Sequence, residues 1–188
     1  RAADVQGDFG VHFAGEGTQV DVRFVGNGSA RLLTSEGPSI RRAQEDDGKL
    51  DEFKYPVVCL RKTGGKSQFV SVIEAHRGEA VVQEVEVLTS EGAGVALRIV
   101  ERDGVRVIGI NGSGEGVSAA LPDGRFVELS GRAGVVTEIG NGLQMEVLDG
   151  SALRVGHEIL EQVRMYAGSV TGLAGDLTGE PSRCELVV

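Results

Sequence analysis

A chain of 188 residues is long enough to bury a core of its own. Its net charge of −9 argues against broad binding to nucleic acid or to acidic membranes, and no apolar run reaches the length of about 18 residues that a membrane span needs. With no tryptophan, two tyrosines and six phenylalanines, the chain has few rings for stacking on sugars or bases.

Taken in chain order, the apolar residues recur at every second position. The pattern is clear over residues 18–25 (TQVDVRFV), 80–88 (AVVQEVEVL), 94–100 (GVALRIV) and 104–110 (GVRVIGI). A period of two is typical of strands with one buried and one wet face, and such strands form antiparallel sheets.

Glycine and turn dipeptides separate these strands. Glycine supplies 29 residues, which is about twice its usual share. Several dipeptides suit type I′ hairpin turns, which need positive φ at both central residues. The strong candidates are Asn27-Gly28, Asp103-Gly104, Asp123-Gly124 and Asn141-Gly142, and the weaker ones are Asp149-Gly150 and Gly64-Gly65. With Asp103-Gly104 as a two-residue loop, Val100 is expected to pair with Val107.

These signals predict an all-β fold, an antiparallel two-sheet β-sandwich with many hairpins and little or no helix. About a dozen strands follow one another, with a turn signal every 8 to 14 residues or so. The best helix candidate, residues 157–168, is assigned as a strand in this context. Residues 34–56 are the one long polar stretch and are expected to form a loop. We expect a single domain over residues 1–188, with 89–94 as the candidate for an internal boundary.

Nothing in the sequence predicts a metal or a cofactor. His12, His76 and His157 have none of the spacings of zinc ligands. The glycine-rich stretch 112–116 (GSGEG) differs from a nucleotide loop because no helix follows it. Cys59 lies in an apolar run and is expected to pack as a small buried hydrophobe. A disulfide with Cys184 is left open.

Charged residues at the end of one strand form the candidate site. Residues 66–78 (KSQFVSVIEAHRG) predict an interior strand whose end reaches water at His76 and Arg77. Glu74 and His76 share one face, so an acid–base pair is the alternative to a plain strand end. Earlier in the chain, Arg41 or Arg42 could hold a uronate carboxylate through a bidentate fork. These five side chains are candidates for substrate binding, and no catalytic residue is predicted.

Four segments together resemble the C-terminal β-rich region of the heparinase II/III-like polysaccharide lyases. They are 36–43 (EGPSIRRA), 56–78 (PVVCLRKTGGKSQFVSVIEAHRG), 94–112 (GVALRIVERDGVRVIGING) and 124–136 (GRFVELSGRAGVV). In that family a basic strand leads into a strand begun by proline, then a Phe-Val-Ser-Val strand and a hairpin with Asp-Gly. The His-rich and Tyr-rich stretch of the family's earlier β-region has no counterpart here, so none of its catalytic residues can be placed.

The resemblance implies a function and a partner. Family members look like periplasmic or secreted enzymes that cleave uronic-acid polysaccharides by β-elimination, with most catalytic groups on an N-terminal α-helical toroid. This chain is then expected to be the non-catalytic C-terminal β-sandwich of such an enzyme. Its partner is the helical domain of the same parent chain, with acidic polysaccharide as a candidate ligand. The competing hypotheses are a stand-alone carbohydrate-binding module and a free-standing enzyme built on Glu74, His76 and Arg77.

Overall fold

A computed structural model describes residues 1–15, 17–26, 28–38, 54–64, 67–161 and 184–187. Within these ranges the chain forms fourteen strands, every strand pair is antiparallel, and no residue is helical. The predicted all-β, antiparallel fold is confirmed. No helix among the described residues is long and apolar enough to cross a membrane.

The chain consists of two compact units, Arg1–Glu79 and Ala80–Val188. Residues 89–94, the candidate for an internal boundary, form the turn region of a hairpin inside the second unit. The reason is that Gly92 takes the positive φ, +60°, that a tight hairpin turn needs. The single-domain assignment stays a prediction.

The first unit holds six strands in two three-stranded sheets. In chain order they are β1 (Ala2–Gln6), β2 (Phe9–Ala14), β3 (Gln19–Phe24), β4 (Ser29–Pro38), β5 (Lys54–Arg61) and β6 (Ser71–His76). One sheet has the order β1-β4-β5 and the other the order β2-β3-β6. The chain therefore passes back and forth between the sheets.

A long antiparallel ribbon joins these two sheets. Strands β1 and β2 run against β4 and β3, and both backbones change sheet at the same place. At that place Gly7 has a φ of +74° and donates its N–H to the carbonyl of Gly28 over 3.1 Å. The Gly26 N–H donates to the Asp8 carboxylate over 2.7 Å. Glycine allows the corner because it carries no Cβ.

Two sequence predictions about the first unit are wrong. The strand in 66–78 is not interior: among the strands that the structure describes, β6 pairs with β3 alone and lies at the edge of its sheet, and Ile73 on it is 67% exposed. The polar stretch 34–56 is not all loop, since its ends extend β4 and β5 as a regular ladder from Thr34–Val58 to Pro38–Lys54. Polar residues are compatible with this ladder because it is held by backbone hydrogen bonds. Residues 39–53 lie outside the described ranges.

The second unit is built on one eight-stranded sheet. Its strands are β7 (Val82–Glu91), β8 (Gly94–Glu101), β9 (Gly104–Asn111), β10 (Val117–Ala120), β11 (Phe126–Ile139), β12 (Gly142–Val155), β13 (Glu158–Glu161) and β14 (Cys184–Val187). The order is β13-β12-β11-β9-β8-β7, with β10 also paired to β11 and β14 also paired to β12.

This sheet folds over on itself at a glycine corner. Strands β11 and β12 are each 14 residues long, and their pairing register shifts around Gly131 and Gly150. On one side of the corner β11 pairs with β10, and on the other side it pairs with β9. A Cβ on Gly131 would lie 2.3 Å from the Gly150 Cα. Two glycines are therefore required for the backbones to meet there.

The folded sheet encloses the core of the second unit in a β-sandwich-like arrangement. Its nine buried residues come from both sides of the corner: Val107, Leu121, Val127, Leu129, Val136, Met145, Val147, Leu153 and Val155. Gly109 lies so close to Val117 and Leu129 that a Cβ there would be 3.0 Å from the nearer side chain. The alternating apolar residues of the sequence thus supply the facing layers.

Two predicted turns lie one residue too far along the chain. The β8–β9 turn is Arg102-Asp103, and Val100 pairs with Val105 instead of Val107. Gly104 belongs to β9 because a Cβ there would be 2.4 Å from the Glu138 carbonyl oxygen. Likewise the β11–β12 turn is Gly140-Asn141, with Gly140 at a φ of +57°.

The four remaining turn candidates have different outcomes. At Asp123-Gly124 the turn has Pro122 and Asp123 as its central residues, since the Gly124 N–H donates to the Leu121 carbonyl over 3.0 Å, and Gly124 follows with a φ of +86°. Asp149-Gly150 lies within β12 at the corner and connects no hairpin, because Gly150 serves the close approach to Gly131. Asn27 and Gly65 lie outside the described ranges.

Replacing Gly131 by alanine should destabilise the second unit strongly. A Cβ would overlap the Gly150 Cα and the Asp149 carbonyl, and the φ of +148° is strained for alanine. We expect a loss of at least about 3 kcal/mol in the free energy of unfolding, measured by urea unfolding with far-ultraviolet circular dichroism. The matched control is Gly112→Ala, which has open space around its Cβ and should stay within about 0.5 kcal/mol of wild type. An equally small effect for Gly131→Ala would contradict the corner.

Candidate functional site

A cluster of charged side chains lies on one face of the β2-β3-β6 sheet. His12 on β2 is directly opposite Asp21 on β3, and Asp21 is directly opposite Glu74 on β6. His76 lies two residues beyond Glu74 and so shares its face. The other face of this sheet is apolar, with Phe9 and Phe24 stacked at 4.9 Å between ring centroids.

Asp21 binds both histidines through different oxygens. The His12 Nδ1 lies 2.7 Å from Asp21 Oδ1, and the His76 Nε2 lies 3.0 Å from Asp21 Oδ2. The second ring nitrogen of His76, Nδ1, is 2.8 Å from the Gly78 carbonyl oxygen. Side-chain exposure rises from 8% at His76 to 23% at Asp21 and 50% at His12, so His76 is the most enclosed member.

These contacts determine the protonation state of His76. A backbone carbonyl and an ionised carboxylate can only accept hydrogen bonds. Both nitrogens of His76 must therefore carry a proton when both bonds are made, so the ring is an imidazolium. A ring in that state has no free lone pair and cannot take a proton from a substrate.

The pKa directions agree with this geometry. The hydrogen bond to Asp21 raises the pKa of His76 above its ordinary value, and the bond to the Gly78 carbonyl adds to the rise, while burial opposes it. The hydrogen bonds from His12 and then His76 lower the pKa of Asp21. Each group thus favours the charged state of the other.

The candidates named from sequence divide into two groups. Glu74 and His76 do share a face, but the His76 ring bonds to Asp21, and Arg77 is exposed just beyond the strand. Arg41 and Arg42 lie outside the described ranges. Their roles in substrate binding stay predictions.

Sequence reasoning missed Asp21. The signal was available in hairpin geometry, because Gly15 donates to the Thr18 carbonyl over 2.9 Å and closes a short turn. His12 and Asp21 are equally distant from that turn, so a hairpin places them side by side. His12 is half-exposed and bound to Asp21.

The glycine-rich loop 112–116 is organised by a buried side chain. Asn111, at the end of β9, is 6% exposed. Its Oδ1 accepts from the Ser113 N–H over 2.9 Å and from the Ser113 hydroxyl over 2.7 Å. Its Nδ2 donates to the Gly116 carbonyl. The loop is a turn held by an amide, in keeping with the rejection of a nucleotide loop.

A second charged cluster lies beside a cavity of about 420 Å³ in the second unit. The Arg125 guanidinium contacts Asp123 and Glu138, each at 2.6 Å. Its hydrogen bonds hold the pKa of Asp123 below the usual value, and the same bonds raise the pKa of Arg125. His157 lines this cavity and is exposed. Two carboxylates thus already neutralise the one arginine in this lining.

The β1-β4-β5 sheet carries a groove that contains two exposed arginines. A groove of about 610 Å³ is lined by Asp4, Val5, Gln6, Ser29, Ala30, Arg31, Arg61 and Thr63. Arg31 and Arg61 are directly opposite each other across the β4–β5 ladder, and both are exposed. Cys59 lies on the same face, where it is free and exposed. The expectation that Cys59 is buried is therefore wrong, because the strand register directs it to the wet face.

Neither a metal site nor a relative is found. Among the described residues, no three His, Cys, Asp or Glu side chains are grouped so that they could hold a metal ion. Comparison of the chain with family profiles, with characterised proteins and with solved structures finds no match. What the chain does must therefore be inferred from its own residues.

The His76–Asp21 pair should stabilise the first unit most in mildly acidic solution. A raised His76 pKa gives stability that is complete below its unfolded value of 6.5 and is lost as the pH rises through the folded value. A lowered Asp21 pKa gives stability that is present above 3.8 and is lost as the pH falls through the folded value. The window therefore runs from pH 3.8 to 6.5.

We expect His76→Gln to lower the melting temperature more at pH 5.5 than at pH 9, measured by calorimetry. Asp21→Asn should lower the titration midpoint of the His76 ring in proton NMR. His157→Gln serves as the control, since that side chain is exposed and has no hydrogen bond or ion pair among the described residues, and its effect should not change with pH. An equal loss for His76→Gln at both pH values would contradict the imidazolium assignment.

Replacing Asn111 by alanine should destabilise the second unit by about 1–3 kcal/mol, because the loop amide and carbonyl lose their buried partner. Urea unfolding measures the loss. Ser113→Ala is the control, since that hydroxyl is exposed and makes one of the bonds to the same amide. It should cost less than about 1 kcal/mol, and equal effects of the two variants would contradict the central role of Asn111.

Proposed function

We propose that this chain is the non-catalytic C-terminal β-sandwich domain of a heparinase II/III-like polysaccharide lyase, an enzyme that degrades uronic-acid polysaccharide by β-elimination. The resembling segments 94–112 and 124–136 coincide with the β8–β9 hairpin and the start of β11. Segment 56–78 covers most of β5 and all of β6. The strand order along the chain therefore supports the resemblance in sequence.

The closed His12–Asp21–His76 cluster carries the non-catalytic part of the proposal. β-Elimination needs a base to take the proton beside the uronate carboxylate, an acid at the leaving oxygen, and a positive group on the carboxylate. In this cluster both oxygens of Asp21 and both nitrogens of His76 are already engaged. His76 is therefore not a free base for a substrate, and the lowered pKa of Asp21 makes that carboxylate a weak one.

The proposed partner is an N-terminal helical domain of the same parent chain, which would carry the catalytic groups. The proposed location is the periplasm or the extracellular space, where such polymers are degraded. A β-rich domain would support the catalytic part and form one wall of its cleft.

The isolated 188-residue chain should show no lyase activity. Incubation with alginate, hyaluronan and heparin should give no rise in the ultraviolet absorbance of the 4,5-unsaturated product, because the proposal assigns the catalytic groups to the helical domain of the parent chain. A polysaccharide lyase assayed in parallel is the positive control. Turnover by the chain that His76→Gln abolishes would overturn the proposal.

The coding sequence gives an independent test. The codons upstream of Arg1 should encode a region rich in helical periodicity, long enough for a helical toroid. An initiation codon directly before Arg1 would contradict the proposed parent enzyme. The alternative of a stand-alone carbohydrate-binding module would then gain support.

A further inference from the structure

Arg31 and Arg61 form a pair of neighbouring cations, and neither has an ion-pair partner among the residues that the structure describes. They are opposite each other in an antiparallel ladder, which places their Cβ atoms about 5 Å apart. Like charges at that position destabilise a sheet. Neither guanidinium makes a hydrogen bond or ion pair within the described ranges, whereas Arg98, Arg106, Arg125, Arg132 and Arg154 each lie within 4 Å of a carboxylate.

The groove around this pair offers groups for a hydroxyl-rich ligand. Asp4 on β1 is directly opposite Arg31, and Gln6 on β1 is directly opposite Ser29 on β4. Their side chains, with the Thr63 hydroxyl, can donate to and accept from sugar hydroxyls. None of the described residues that line the groove is aromatic, so these residues would hold a ligand by hydrogen bonds and charge.

The net charge of the first unit is close to zero, which permits an anion to bind there. The first unit has eleven Lys and Arg against twelve Asp and Glu, a net charge of −1, while the second unit has eight against sixteen, a net charge of −8. The overall charge of −9 thus belongs almost wholly to the second unit. A single oxyanion beside two guanidinium groups is therefore favourable in the first unit.

We propose that the Arg31–Arg61 groove binds the carboxylate or sulfate of an acidic sugar. Each guanidinium donates to an oxygen of the anion, and Asp4, Gln6, Ser29 and Thr63 hold the neighbouring hydroxyls. The choice of an acidic sugar rests on the proposed function, whereas oxyanion binding follows from the arginine pair alone. A nucleic acid is disfavoured, because it needs several phosphate contacts and stacking rings.

The test follows the arginine Nε–Hε resonances of the labelled full chain during titration with acidic tetrasaccharides. One arm uses a hyaluronan tetrasaccharide, which carries carboxylates, and another a heparin tetrasaccharide, which adds sulfates. Cellotetraose is the neutral arm, and inorganic sulfate the arm without sugar. We expect the Arg31 and Arg61 signals to shift with a Kd on the order of millimolar for an acidic sugar, and cellotetraose to bind at least about tenfold more weakly.

Matched variants locate the site. Arg31→Gln and Arg61→Gln should each weaken binding of the acidic sugar by about tenfold or more. Arg61→Lys should weaken it less, since the charge remains and the fork is lost. Arg132→Gln is the control, because that side chain is 64% exposed, carries the same charge and lies in the second unit, and it should bind like wild type.

Three results would overturn the inference: no shift of either arginine at millimolar sugar, equal binding by the Arg31→Gln and Arg132→Gln variants, or sulfate alone binding as tightly as the tetrasaccharides. The last would leave an anion site without a sugar preference. None of these results bears on the upstream coding sequence or on turnover, so failure of the groove and failure of the proposed function are distinguishable.

Discussion

The fold depends on places where two backbones approach more closely than any side chain permits. At the corner of the second unit a Cβ on Gly131 would lie 2.3 Å from the Gly150 Cα, and one on Gly116 would lie 2.3 Å from the Leu129 carbonyl oxygen. These contacts let one sheet double back and enclose Met145, Leu153 and its other buried residues between two layers. The ribbon of the first unit changes sheet at Gly7 for a different reason, since this residue has a φ of +74° and open space around a Cβ.

The first unit contains two groups of charged side chains, one on each of its sheets, and they differ in how their charges are paired. On the β2-β3-β6 sheet, Asp21 lies between two imidazoles, and the backbone carbonyl of Gly78 completes the environment of His76. Each Asp21 oxygen and each His76 ring nitrogen has a partner, so this pair acts as part of the sheet. On the β1-β4-β5 sheet, Arg31 and Arg61 are opposite each other, and neither forms an ion pair in the part of the chain that the structure describes. The first arrangement is suited to stability and the second to recognition of an anion.

Fold class could be predicted from sequence because a period of two is a local property. The position of Gly104 within β9 could not be predicted, since glycine suits both a turn and a close approach of two backbones. Only the Glu138 carbonyl, on a later strand, decides between them. The edge position of β6 was hidden for a related reason, because its apolar density resembles that of an interior strand. Pairing of His76 with Asp21 joins residues 55 positions apart, so it depends on a strand order that spacing does not reveal. Opposition of Arg31 and Arg61 likewise appears only once the β4–β5 register is known.

The uneven distribution of charge between the two units has a consequence for encounters in solution. A polyanion diffusing toward the chain is repelled by the −8 of the second unit and hardly at all by the −1 of the first. Approach trajectories are therefore biased toward the first unit before any contact is made. The bias acts over a Debye length of about 10 Å at 0.1 M ionic strength and shrinks to about 3 Å at 1 M, so the association rate constant, and not only the affinity, depends on the ionic strength of the surroundings.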